Sequence, residues 1–257
     1  MKQDTRIVFI HGFMGSALNW GRVRGLLEEK VPGLKSFAID LLGHALNHPK
    51  SVAAPGQAHA ELCKDLKSQL SAIKPTHVVA HSFGLRPALD LADTNPELIP
   101  HLIVEDSSPE LSPQAHAFLM SVINAPVPFR TREEAKIYFD NKYGAQSALS
   151  RFFFSNIRTQ EDGLANWRFD KNFLEALLNE AIRRDLWDLW KTLPSKLSLI
   201  YGEQSDSFPA EVINKMKALR PDMKAYPIAK AGHWVHSDQP LDFVEVLSKI
   251  ILGDTSN

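Results

Sequence analysis

The amino-acid sequence predicts an α/β fold: a mostly parallel central sheet with helices on both faces, carrying a helical insertion. Three observations predict it. Short β-branched or apolar runs alternate with longer segments of helical period, the order expected of βαβ units. The alternation stops between Pro109 and Pro194, where helical periodicity and several prolines continue without a convincing strand. With 257 residues, 44% of them apolar, the chain can bury one large core and still carry an insertion over it.

In chain order, strands are expected at residues 6–10, 35–39, 77–80, 102–105 and 197–201, with a further one at 225–228. These runs are apolar rather than alternating, as in strands buried on both faces. Helices are expected at residues 20–30, 57–73, 83–94, 209–219 and 241–250, lengths that suit crossover connections. The domain organisation that follows is a core of residues 1–108 and 195–257 with a helical lid of residues 109–194. Much of the aromatic content falls in that lid. Most of its rings are expected to pack it against the sheet domain, and two or three to line an apolar pocket. Phe153, Phe154 and Trp167, with Trp234 beyond the lid, are the candidate substrate-binding rings.

Charge and composition exclude several classes. Lys and Arg total 29 against 30 Asp and Glu, a net charge of -1 with no block of like charge, which argues against nucleic acid or a membrane surface as the main partner. Cys63 is the one cysteine, so no intrachain disulfide can form; it is expected to pack on a helix face, compatible with a reducing, cytoplasmic location. The amino end enters an apolar run of only Ile7 to Ile10, so neither a signal peptide nor a spanning helix is expected. Nothing in the composition fixes an oligomeric state.

The most informative stretch is Thr76-His77-Val78-Val79-Ala80-His81-Ser82-Phe83-Gly84. It reads as a strand running directly into a helix, with Ser82 at the junction and small residues, Ala80 and Gly84, two positions to either side. Such a turn is strained and leaves no room for side chains, and it lifts the serine hydroxyl from the carboxyl edge of the sheet. The following helix aims its positive end at the same point. Ala80 departs from the usual Gly-x-Ser-x-Gly pattern, and a plain helix N-cap is the bland alternative for Ser82.

At the end of the first strand, His11-Gly12-Phe13 offers a turn that can aim a backbone amide inward. The N–H groups of Phe13 and Phe83 are the candidate pair for holding a developing oxyanion. Neither Gly-x-Gly-x-x-Gly nor a phosphate-loop Gly-Lys-Ser/Thr occurs, so a nucleotide site is disfavoured. Near the carboxyl end, Ala231-Gly232-His233-Trp234-Val235-His236 follows the last expected strand, and His233 is the candidate general base for Ser82. His44, His48 and His59 lie close in sequence, but without His-Glu-x-x-His or paired cysteines no metal site is expected.

His11-Gly12-Phe13, Asp40-Leu41-Leu42-Gly43-His44, Ala80-His81-Ser82-Phe83-Gly84 and Gly232-His233 occur together in one order along nearly the whole chain. In this the sequence resembles the α/β-hydrolase family, and Glu105-Asp106-Ser107-Ser108-Pro109, Arg151-Phe152-Phe153-Phe154, Trp167-Arg168-Phe169 and Ala231 to His236 make it most similar to the small YbfF-type esterases. The resemblance implies the α/β-hydrolase fold and a cofactor-free carboxylesterase or thioesterase acting on small acyl substrates. It further implies a sheet lacking at least one of the two amino-terminal strands of larger family members.

A carboxylate must hold the imidazole of His233. In Gly202-Glu203-Gln204-Ser205-Asp206, a serine stands three residues after the glycine, where many hydrolases carry the acid, and Asp206 follows it. The alternative, favoured by the resemblance, is Asp106 at the end of the strand before the lid. Two competing functions remain on the same scaffold. A carbon–carbon or elimination lyase would need basic groups such as Arg86, Arg130 or Arg151 to grip an acidic substrate. A non-catalytic ligand-binding protein would need no assembled serine, histidine and aspartate.

Overall fold

The computed structural model describes residues 4–45, 47–49 and 54–253. In chain order its elements are β1 (Arg6–Ile10), α1 (Gly21–Lys30), β2 (Lys35–Ile39), α2 (Ala58–Ile73), β3 (His77–His81), α3 (Leu85–Thr94) and β4 (His101–Glu105). The chain then leaves the sheet for α4 (Pro113–Ile123), α5 (Arg132–Tyr143), α6 (Ala148–Ser155), β5 (Ile157–Thr159), β6 (Ala165–Trp167), α7 (Lys171–Ala181) and α8 (Trp187–Thr192). It returns through β7 (Lys196–Gly202), α9 (Ala210–Leu219), β8 (Lys224–Ile228), α10 (Val235–Asp238) and α11 (Pro240–Leu252).

Six strands form one parallel sheet in the order β2-β1-β3-β4-β7-β8. Successive residues of β1 serve opposite faces, which is why the run is apolar throughout. Ile7 and Phe9 join Trp20, Val23 and Leu27 with Phe243 and Leu247, the layer formed by α1 and α11. Val8 and Ile10 join Leu62, Leu66 and Leu70 of α2, the α3 residues and the interior of the segment between β4 and β7. Both faces of the sheet are therefore covered, and its carboxyl edge is left to carry loops. Among the described residues no strand precedes β1, and no helix is long and apolar enough to cross a membrane.

Local sequence explains where the helices between β4 and β7 begin. Ser112, Thr131, Ser147 and Asp170 each accept a bond from the backbone N–H three residues on, at 3.0–3.1 Å. Such caps stabilise a helix by about 1 kcal/mol each. The segment is not wholly helical, which corrects the expectation of a strandless insertion: β5 and β6 pair as an antiparallel hairpin, Ile157 opposite Trp167. Phe129 extends it, exchanging both backbone bonds with Ala165 at 2.8 Å. Three-residue strands are too short for a period to be read.

Candidate active site

The site is assembled where three strands of the sheet end. β3 runs into a single tight turn, Ser82–Gly84, that opens α3. Ser82 sits there at φ 51°, in the left-handed region; for a residue with a side chain this strain is on the order of 1–3 kcal/mol. What holds it is close packing of the turn against the end of β1. A Cβ at Gly84 would lie 2.5 Å from the His11 carbonyl oxygen, and one at Gly12 would lie 2.9 Å from the Ser82 Cβ. Ala80, the departure from the usual pattern, is fully buried within the sheet.

Asp106, the first residue beyond β4, also adopts a left-handed conformation, with φ 44°. Its buried carboxylate accepts from Gly202 N–H at 3.1 Å on one oxygen, and from the Ser205 hydroxyl at 2.6 Å on the other. That second oxygen also faces His233 Nδ1 at 2.8 Å. A carboxylate only accepts, so Nδ1 carries the imidazole hydrogen and Nε2 is left with a free lone pair. His233 Nε2 lies 3.1 Å from Ser82 Oγ. The structure thus brings together Ser82, His233 and Asp106. Asp206 is exposed on the same cavity wall, and the histidine bond goes to Asp106 instead.

Behind the His233 ring lies a second, fully buried layer. His81 packs against it with centroids 4.8 Å apart and donates Nε2–H to the His233 carbonyl at 3.0 Å. Burial pushes the His81 imidazole down to about 3, so it stays neutral. Glu105 accepts from both the backbone N–H and Nδ1 of His236, each at 2.8 Å. Burial works to raise the Glu105 carboxyl, but facing His236 and accepting its two hydrogen bonds holds it below the ordinary carboxylate range. At the other end of the site His11, pushed down to about 4 by burial, donates Nδ1–H to the Gly12 carbonyl at 2.8 Å and accepts from Leu41 N–H at 3.0 Å. It ties the loop after β1 to the loop after β2.

Ser82 opens on a cavity of about 830 Å³. Phe13 and Phe83 border it, their rings 5.2 Å apart. The far wall comes from the segment between β4 and β7: Leu111, Ala115, Phe118 and Leu119 around α4, with Leu149, Phe152 and Phe153 of α6. Of the four rings expected to bind substrate, Phe153 and Trp234 line this cavity, whereas Phe154 and Trp167 do not. Phe154 instead lies under the Arg132 guanidinium, and Trp167 stacks on Phe169 and donates to the Ile123 carbonyl. Arg86 borders the cavity with its guanidinium donated to the backbone carbonyls of Pro109, Ala181 and Arg184. Arg130 pairs with Glu134, and Arg151 bonds the Gln146 carbonyl, both away from the cavity.

Residues 7–246 match the model of the alpha/beta hydrolase family. The chain belongs to that family. It is 25% identical over 262 residues to the sn-1-specific diacylglycerol lipase ABHD11 of Mus musculus, covering 95% of this chain and 80% of that protein. It is 27% identical over 262 residues to Esterase Rv0045c of Mycobacterium tuberculosis, covering 96% of this chain and 82% of that one. Its fold matches that of a marine microorganism esterase with a TM-score of 0.77 at 23% identity, covering 96% of this chain and 95% of the other. The protein is thus an esterase-like hydrolase of this family.

Several residues of the hydrolase site were not singled out from sequence. The sequence marks Ser205 only as the residue standing at the commoner acid position, and Phe152 only as part of the Arg151-Phe152-Phe153-Phe154 run, without a role for either. The pairing of Glu105 with His236 joins positions far apart in the chain. A carboxylate inside an apolar strand run, Leu102-Ile103-Val104-Glu105, was the available signal, since a buried charge requires a partner.

Proposed function

We propose that this hydrolase cleaves a carboxylic ester, or a thioester, of a small acyl substrate through an acyl-enzyme on Ser82. The observation that carries the proposal is the unbroken hydrogen-bonded line from Asp106 through His233 to Ser82 at the wall of the cavity. Nε2 of His233 takes the hydroxyl proton as Ser82 Oγ attacks the acyl carbon, and returns it to the departing alcohol or thiol. Asp106 stabilises the imidazolium between those steps. The tetrahedral oxyanion is held by the N–H groups of Phe13 and Phe83, the latter in the first turn after Ser82, where backbone donors lack intrahelical partners. Water, activated by the same His233, then releases the acid. No cofactor or metal is called for in these steps.

Residues 109–194 act as the lid of the site, and Phe153 with Trp234 meets the acyl portion. Besides Asp106, which holds His233, the carboxylates of the wall are Glu110, Asp206 and Asp238, and Arg86 is committed to backbone carbonyls. This favours an uncharged substrate over a multiply anionic one, and it disfavours the lyase alternative, which needs a free cationic grip. The assembled serine, histidine and aspartate disfavour a purely ligand-binding protein. The deciding experiment pairs wild type with Ser82→Ala on p-nitrophenyl esters and acyl-CoA thioesters of graded length, with fluorophosphonate labelling alongside. Label and turnover are expected on wild type only, with uncharged esters preferred; comparable turnover by Ser82→Ala would remove the proposal.

A further inference from the structure

Outside the cavity, one cluster joins three kinds of metal-binding side chain. His59 and Cys63 stand four residues apart on α2 and so share a face, and α3 packs beside them with Asp90. One ligand atom from each of the three lies within 4.8 Å of the others. His59 Nε2 bonds Asp90 Oδ2, and the Cys63 sulfur lies 3.3 Å from the same nitrogen.

We propose that His59, Cys63 and Asp90 bind a divalent transition-metal ion of the zinc class, independently of the reaction at Ser82. One ring nitrogen faces both a carboxylate oxygen and a sulfur, yet it carries at most one hydrogen and can satisfy only one of them with it. A cation between the three accepts a lone pair from each. Zinc bonds of about 2.0–2.3 Å suit such a mixed nitrogen, sulfur and oxygen set, with water in the fourth position. Water can reach it: the side chains of His59 and Asp90 are 10% and 19% exposed. Binding moves the Cys63 thiol proton to solvent and places the His59 hydrogen on Nδ1, with no change of oxidation state.

The surroundings fit a held ligand set. Arg184 donates to Asp90 Oδ1 at 2.6 Å, which fixes the carboxylate while Oδ2 turns to the ion; its second bond, to Oδ2 at 2.8 Å, is the one a metal displaces. Glu180 accepts from the first two N–H groups of α2, at 3.0 and 2.9 Å, and anchors the turn that carries His59. Among the described residues the other converging group, His81 with Glu105 and His236, is fully buried and spends its carboxylate on His236 and a ring nitrogen on the His233 carbonyl. It offers no comparable opening. A bound ion would staple α2 to α3.

The test titrates the purified full-length protein, kept reduced without added thiol, with Co²⁺ and then Zn²⁺. Cys63 is the one cysteine in the sequence, so a thiolate-to-cobalt charge-transfer band reports this site alone. One equivalent of Co²⁺ is expected to raise the band, Zn²⁺ to abolish it and to raise Tm, and Cys63→Ala and His59→Ala to lose both responses. Hydrolysis by these variants is expected to match wild type, since none of the three residues borders the cavity. Absence of the band, or a band of equal strength and affinity in His59→Ala, would overturn the three-ligand site. Asp90→Asn also breaks the Arg184 pair, so His59→Ala, which leaves that pair intact, is the deciding variant.

Discussion

Ser205 donates its hydroxyl to Asp106 at 2.6 Å, from the loop position where many hydrolases carry the acid itself. The loop after β7 therefore brings a neutral donor, not a charge, to the carboxylate that faces His233. Asp106 accepts on the same oxygen from His233, so Ser205 helps to fix the direction of that oxygen. Ser205→Ala is expected to lower kcat by about tenfold, or about 1.4 kcal/mol, with little change in KM. Steady-state kinetics on one soluble ester checks this; wild-type kcat in the variant would show that Asp106 is oriented without it.

Asp106→Asn should be far more damaging than Asp206→Asn, with both variants folded by circular dichroism. The first removes the charge facing His233 Nδ1 and can favour the wrong tautomer, a loss of about 10⁴-fold in turnover on a comparable triad. The second removes an exposed carboxylate of the cavity wall. Its effect should be confined to substrates bearing charge. A large loss in Asp206→Asn with near-normal Asp106→Asn would reverse the assignment and leave Ser82 and His233 in place.

Much of this was legible in sequence because it is local. The apolar runs that became β1 to β4 and β7 are each complete within about five residues, Ser82 and the Gly12 turn follow a strand end at once, and His233 lies in the short loop beyond β8. The carboxylate that bonds His233 was legible only as a choice between two aspartates, because its place depends on how two strand ends lie relative to each other. The wall of the cavity was least legible. Phe152, Phe153 and Phe154 are consecutive on one helix and look equivalent, but successive helical residues point about 100° apart, so Phe152 and Phe153 line the cavity, the former against Trp234, while Phe154 turns to Arg132. The cap residues Ser112, Thr131, Ser147 and Asp170 were readable in principle, whereas three-residue strands were not.

Stability should decline as pH falls from about 6.5, before the carboxylates titrate. Burial pushes His11 and His77 down to about 4, and His44, His81 and His101 down to about 3, from an ordinary 6.5. Between those limits the unfolded chain holds more protons than the folded one, so the stabilisation is complete above 6.5 and is lost progressively as pH drops. Glu105 and Asp90, both lowered, add their losses below their ordinary values of 4.5 and 3.8. Urea midpoints at about pH 7.5, 6 and 5 measure the histidine window. His44→Leu, at a fully buried ring whose Nε2 has no partner, should flatten the slope; an unchanged slope would mean that His44 does not titrate between the two states.

The ester-length profile should respond to Phe153 and Phe152 and not to Phe154, if residues 109–194 form the lid of the acyl pocket. Phe153 is 2% exposed and borders the cavity, and Phe152 lies against Trp234 with centroids 5.2 Å apart. Phe154, the next residue, packs against Arg132 and contributes nothing to the wall. Replacing Phe153 by alanine would cost about 3–5 kcal/mol of stability, which confuses the reading, so leucine is the better probe. Phe153→Leu opens room beside the acyl chain. Each additional methylene that the enlarged pocket buries gains about 0.8 kcal/mol, roughly a fourfold rise in kcat/KM relative to the acetyl ester. The expected result is an optimum displaced toward longer acyl chains in Phe153→Leu and Phe152→Leu, with Phe154→Leu and Trp167→Phe tracking wild type. Trp167 serves as the internal control, since its indole is held by Phe169 and the Ile123 carbonyl beneath the wall. Measuring kcat/KM along a ladder of p-nitrophenyl esters separates these outcomes. If all four profiles superimpose on wild type, the rings of this segment pack the fold, and chain length must be selected by the core side of the cavity, at Phe13 and Phe83.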